Sequence, residues 1–213
     1  MSKPWPGPVT AHWGEPGDAT SPWRLVLRCR WGEGKPLVVV GMNPSTASEA
    51  EPDPTCQRWL SMAQRWGYAA LTVLNLYPLR ATSPKDMERG VFAIEGHPPR
   101  QVGRYPFPGQ GKVFTDYCAT ITAALGEGDF ILACWGGVEG GDSLLRAYYG
   151  TGGELPRPLA YLHRTPKGCP IHPLARLRGV EPSKLRPRDW NTGELMRLPI
   201  DNEPAPGGFP AGE

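Results

Sequence analysis

A chain of 213 residues and 23.3 kDa suits one domain with irregular flanks, and excludes both a disulfide-stapled mini-protein and a string of large domains. Hydrophobic residues at 39% allow a real core, so the 27 glycines and 26 prolines belong in loops and not in a low-complexity chain. A net charge of +2 is no argument for a polyanion partner. No apolar stretch reaches the roughly 18 residues of a membrane helix, and the opening MSKPWPGPVT has no apolar signal core, so a cytoplasmic protein away from membranes is expected.

Residues 1–22 read as a Pro/Gly-rich lead-in. Arg24–Arg30 alternates enough for an edge strand, and Leu37–Val40 is a β-branched run suited to a strand buried on both faces. Asp53-Pro54 reads as an N-cap followed by proline at the first helical position. The helix it opens carries Cys56, Trp59, Leu60, Ala63 and Trp66 at helical spacing and stops at Gly67. Ala70–Leu74 is a second buried strand, a short helix is expected between Pro84 and Phe92, and 95–111 is a Pro/Gly-rich insertion. A helix over Val113–Leu125, a strand over Phe130–Cys134, a helix over Ser143–Tyr149 and a strand over Leu159–Leu162 complete the domain, 23–180. Residues 181–213 read as an irregular tail. Strands alternating with helices need crossovers, which predicts a three-layer α/β/α sandwich around a mostly parallel four-stranded sheet.

Five scattered cysteines (29, 56, 118, 134, 169) form no C-x-x-C, and four histidines show no metal spacing, so neither a metal nor a cofactor is expected. Between Arg157 and Arg188 eight basic residues face one acid, Glu181. That stretch is either a solvated tail or a polyanion contact.

In open α/β sheets ligands sit beyond the carboxyl ends of the strands, so the loops after the four buried strands carry the functional argument. They are Gly41-Met-Asn-Pro-Ser-Thr46, Asn75-Leu-Tyr-Pro-Leu-Arg-Ala-Thr82, Trp135-Gly-Gly137 and His163 to Leu174. Singly each has an ordinary reading. Asn43-Pro44 is a turn signal, Asn75 could bond a neighbouring loop, and His172-Pro173 could be a turn with a satisfied imidazole. Asp53 is first a helix cap, although Glu49, Glu51 or Asp53 could furnish a general base. Trp59 and Trp66 belong to the core, Gly41–Thr46 lacks a Walker ending, and Ser45 lacks a nucleophile elbow. Jointly the four loops would gather on one rim.

The segments N-P-S-T-A (Asn43–Ala47), D-P-T (Asp53–Thr55), N-L-Y-P-L-R-A-T (Asn75–Thr82) and H-P-L (His172–Leu174) resemble a bacterial and phage family, domain of unknown function 1643, over roughly residues 24–178. More remotely, G-M-N-P after the first buried strand, the asparagine ending the second and the late H-P are similar to the uracil-DNA glycosylase superfamily. That resemblance implies its fold and a base-recognising, N-glycosidic-bond-cleaving activity. By motif match Asn43 would orient a water and His172 would donate a hydrogen bond to the departing base, a term worth about 3–4 kcal/mol in comparable oxyanion sites. Asn75 would read a base edge, with Gly41, Met42, Pro44 and Ser45 lining the substrate loop. Tyr77 or Trp135 could stack on the base, and Arg80, Arg164, Arg176 and Arg178 would hold phosphates. The implied partner is nucleic acid, DNA including single-stranded DNA, or a nucleotide. The sequence departs from that superfamily at Ser45-Thr46, where glycine and an aromatic are usual, and at Leu174-Ala175, where a serine-containing run is usual. Two other functions fit the same residues: an inactive nucleic-acid-binding module, or a small-molecule nucleotide hydrolase or transferase.

Overall fold

The computed structural model describes residues 3–14, 16–44, 47–81, 112–175 and 184–202. Its centre is a single seven-stranded sheet. The strands are β1 (Val9–Trp13), β2 (Arg24–Arg30), β3 (Pro36–Gly41), β4 (Ala70–Asn75), β5 (Ile131–Ala133), β6 (Leu159–Tyr161) and β7 (Arg188–Asp189), in spatial order β1-β2-β4-β3-β5-β6-β7. The helices are α1 (Pro54–Arg65), α2 (Lys112–Leu125) and α3 (Gly141–Tyr149), with a 3-10 turn at Pro199–Asn202.

The four apolar runs are β3, β4, β5 and β6, and they form parallel ladders in the order β4-β3-β5-β6. Every residue of β3 and β4 is buried, which suits a strand covered on both faces. Alternation sorts their side chains. Val39, Leu71 and Val73 pack with Cys56, Trp59, Leu60 and Ala63 of α1, whereas Val38, Val40 and Leu74 pack with Tyr117 and Ile121 of α2 and Leu145 and Tyr149 of α3. Helices therefore cover both faces, in three layers.

Two expectations are corrected. The sheet has seven strands instead of four, because antiparallel strands extend the parallel core on both sides. Nor is Arg24–Arg30 an edge strand: β2 lies between β4 and β1, with Leu27 opposite Val73 and Cys29 opposite Val9. Strand β1 comes from within the Pro/Gly-rich lead-in. Its five residues alternate half-buried and exposed, and so short an amphipathic run is hidden by the prolines and glycines around it. The C-terminal stretch read as irregular supplies β7 and the 3-10 turn. The expected helix at 84–92 and the insertion at 95–111 lie outside the described residues.

Helix α1 forms where its signals place it. Asp53 Oδ1 accepts from the Cys56 N–H at 2.7 Å, and Pro54 occupies the first turn. At the other end Gly67 takes a φ of +79°. The Gly67 and Tyr68 amides bond back to Gln64 and Ala63, a Schellman closure.

Candidate functional site

From β3 the chain crosses by α1 to β4 on one side, and from β5 it crosses by α3 to β6 on the other. The direction of winding thus reverses between the adjacent strands β3 and β5. In open α/β sheets the crevice at such a reversal, outside the carboxyl ends of the strands, is the usual ligand position. A cavity of about 540 Å³ opens there, within the range of small-molecule pockets.

Its walls come from every part of that rim. Gly41 ends β3 and Met42 and Asn43 follow it, Asn75 ends β4, and Trp135 to Val138 follow β5. His172 arrives from the long loop after β6, while Asp53, Thr55, Cys56 and Trp59 come from the start of α1. Arg24 opens β2 at the same edge. Asn43, Asn75, His172, Gly41, Met42 and Trp135, all singled out in the sequence, therefore face one space.

The polar groups are held in defined states. Asn43 Nδ2 donates to the carbonyls of Ala81 at 2.7 Å and Pro44 at 3.1 Å. Both amide hydrogens are so engaged, leaving Oδ1 as the acceptor end of this side chain. Asn75 is 4% exposed and stands in register with Gly41; its Oδ1 would be 2.9 Å from a methyl on that glycine. The His172 Nδ1 accepts from the Leu174 N–H at 3.3 Å, which assigns the proton of a neutral ring to Nε2. Burial pushes the imidazole below its ordinary pKa of 6.5, against the opposing pull of the Asp53 carboxylate. At neutral pH His172 is a neutral donor.

The sequence reading gave Asp53 mainly a capping role and did not single out Arg24. Asp53, 8% exposed, both caps α1 and lines the cavity. Of the three carboxylates considered as a base it alone lines it, whereas Glu49 is exposed and accepts the Ala11 N–H at 3.0 Å, and Glu51 is exposed. Arg24 is 2% exposed and donates through Nη1 to the Ala47 carbonyl. Its one sequence signal is an arginine opening a strand whose next three residues are apolar.

Other candidates stand apart from the cavity lining. Tyr77 packs against the α2–α3 core, its amide bonded to the Met42 carbonyl at 2.9 Å. Arg80 lies 5.1 Å over the Trp13 ring and donates to the Ala19 carbonyl at 3.0 Å. Arg164 sits in the corner made by the perpendicular Tyr161 and Trp190 rings, at 4.3 and 4.4 Å from them, and donates to the Trp190 carbonyl at 2.5 Å. The rings and the carbonyl belong to β6 and to the segment after β7, which the guanidinium thereby fastens together. Pro44 is buried outside the lining, and Ser45, Arg176 and Arg178 lie outside the described residues.

Among the described residues no group of three His, Cys, Asp or Glu could hold a metal ion, and no helix is long and apolar enough to cross a membrane. Comparison with curated proteins and with solved structures finds no match. The profile of one family, described as a protein of unknown function (DUF1643), matches residues 24–174, which run from the buried arginine of the cavity to just past its histidine. With most of its length inside that match, the chain belongs to the DUF1643 family.

Proposed function

We propose that the cavity receives a nucleobase, carried in DNA or in a nucleotide, and that the protein hydrolyses its N-glycosidic bond in the manner of the uracil-DNA glycosylase superfamily. One observation carries this reading. Asn43, Asn75 and His172, distant in sequence, converge on a single cavity at the carboxyl edge of the parallel strands. The residue chemistry suits the reaction. Asn75 offers an amide edge to a base, and Trp135, Trp59 and Met42 supply apolar wall. The carboxamide oxygen of Asn43, its nitrogen held by two carbonyls, accepts from a water.

That water attacks the anomeric carbon as the carbon–nitrogen bond breaks, and the bonding pair leaves with the base. Asp53 takes the proton lost by the water, and the base anion is later protonated by solvent. His172 Nε2–H donates to the base oxygen on which charge accumulates, a preorganised donor already in the tautomer it needs. A base within duplex DNA would first have to be extruded.

The test is base release from oligonucleotides and free nucleotides carrying uracil, modified thymine and other bases. The reading expects release by the wild type and a 100-fold or greater loss in His172→Ala. Wild-type protein inert across the panel would rule out the hydrolytic reading.

A further inference from the structure

We propose that Arg24 is the anchor for a terminal phosphate, and hence that the ligand of the cavity is a free nucleoside monophosphate and not a base within a polynucleotide. The nucleoside half of this inference rests on the base-recognition reading above; the phosphate half does not.

Arginine keeps its charge under all ordinary conditions, and a charge out of water is costly unless something answers it. Arg24 is 2% exposed and lines the cavity. Among the described residues its hydrogen bond goes to a neutral group, the Ala47 carbonyl, which occupies one nitrogen of a guanidinium that carries five N–H donors. Among the described residues no ion pair holds it.

Asp53 attracts Arg24 from a distance, Arg80 repels it, and the neighbouring Cys56 thiol is held protonated by burial. Asp53 is the one acid in the cavity lining and its Oδ1 already accepts the Cys56 N–H, so among the described residues no carboxylate is paired with the guanidinium, and His172 is neutral there. An oxyanion is the missing partner, and a guanidinium fork matches the paired oxygens of a phosphate.

Depth selects the form of that phosphate. A polynucleotide backbone must enter and leave a site, whereas a wall residue with 2% of its surface exposed is reached only by a chain end. Of the arginines expected to hold a strand's phosphates, the two among the described residues are half-buried and otherwise engaged: Arg80 stacks on Trp13, and Arg164 packs against Tyr161 and Trp190. At about 540 Å³ the cavity also falls in the range that takes whole small molecules.

Isothermal titration calorimetry on the full chain tests this with four probes: inorganic phosphate, a set of nucleosides, their 5′-monophosphates, and short oligonucleotides with unphosphorylated ends. The expected result is monophosphate binding at least tenfold tighter than the matching nucleoside or the oligonucleotide, with competition by inorganic phosphate. In Arg24→Met that preference should fall below twofold, while Arg24→Lys should keep part of it. Equal affinity for nucleoside and monophosphate, or no binding of any phosphate, overturns the assignment of Arg24 whether or not the variants fold. Phosphate binding without nucleoside discrimination would keep Arg24 and sink the base pocket; nucleoside binding indifferent to phosphate would do the reverse.

Discussion

Gly41 and Asn75 end two neighbouring parallel strands at the same level, and the amide oxygen of one lies where a side chain of the other would begin. A β-carbon on Gly41 would stand 2.9 Å from Asn75 Oδ1 and 3.1 Å from the Trp59 ring. Both neighbours line the cavity and both are buried, so neither can step aside freely. Gly41→Ala should cost about 1–3 kcal/mol in urea unfolding and displace Asn75 from its place on the wall. Gly137→Ala is the control. A methyl there meets nothing within 4 Å, and stability should change by no more than about 0.5 kcal/mol.

Asn43 is anchored by its nitrogen. Asn43→Asp would set carboxylate oxygens against the carbonyls of Ala81 and Pro44. Chemical denaturation should show a loss of about 1–3 kcal/mol from the unsatisfied acceptors. If the exchange leaves stability unchanged, the amide is not the clasp between the loops that follow β3 and β4.

Asp53 serves the helix and the cavity together, and two substitutions separate these roles. Asp53→Ala removes the cap on the Cys56 amide and should cost about 1 kcal/mol, whereas Asp53→Asn keeps an acceptor and should be close to neutral for folding. Both remove the carboxylate that favours the His172 cation, so both should lower the imidazole pKa further. NMR titration of the ring reads this directly.

The pH dependence of His172 has a definite sign. Its folded pKa lies below the ordinary 6.5, so the unfolded chain binds the proton more readily. The contribution to stability is complete above pH 6.5 and is lost as the pH falls through the folded value. Protonation also takes away the lone pair that receives the Leu174 amide. Thermal unfolding of wild type should therefore weaken on acidification more than that of His172→Gln; parallel curves for the two would count against this environment.

Arg164 makes the opposite prediction from a cavity residue. Arg164→Ala removes both ring contacts and the bond to the Trp190 carbonyl, and should lower stability by about 1–2 kcal/mol. Affinity for any ligand of the cavity should stay the same. A binding defect as large as that of a cavity variant would return Arg164 to the phosphate-holding role its sequence position suggested.

Much of the fold was legible because its strongest signals are local. The Asp53-Pro54 start and Gly67 stop bound a helix by hydrogen-bond chemistry, and two short runs dominated by aliphatic residues, the first between Pro36 and Gly41, give β3 and β4 to within a residue or two. What escaped depends on partners. Val9–Trp13 is a strand only because β2 offers it an edge, and two residues at Arg188 join the sheet only opposite Ala160 and Tyr161. At the cavity, position after the buried strands together with the motif resemblance pointed to Asn43, Asn75 and His172. Arg24 was missed because charge in a strand reads as solvent-facing, and its burial is settled by the Ala47 segment lying over it. Tyr77 and Arg80 share the N-L-Y-P-L-R loop with Asn75, yet sequence proximity to a rim does not fix which way a side chain turns.

The antiparallel additions matter to anyone who would produce this protein in pieces. The segment that identifies the family starts at Arg24 and stops at Leu174, leaving out β1, β7 and the Trp190 that Arg164 grips. A fragment cut to those limits would lay bare the outer hydrogen-bonding edge of β2 and strip the cover from β6. Unsatisfied ladders of that kind recruit other chains, so such a fragment should precipitate or self-associate where the longer chain does not.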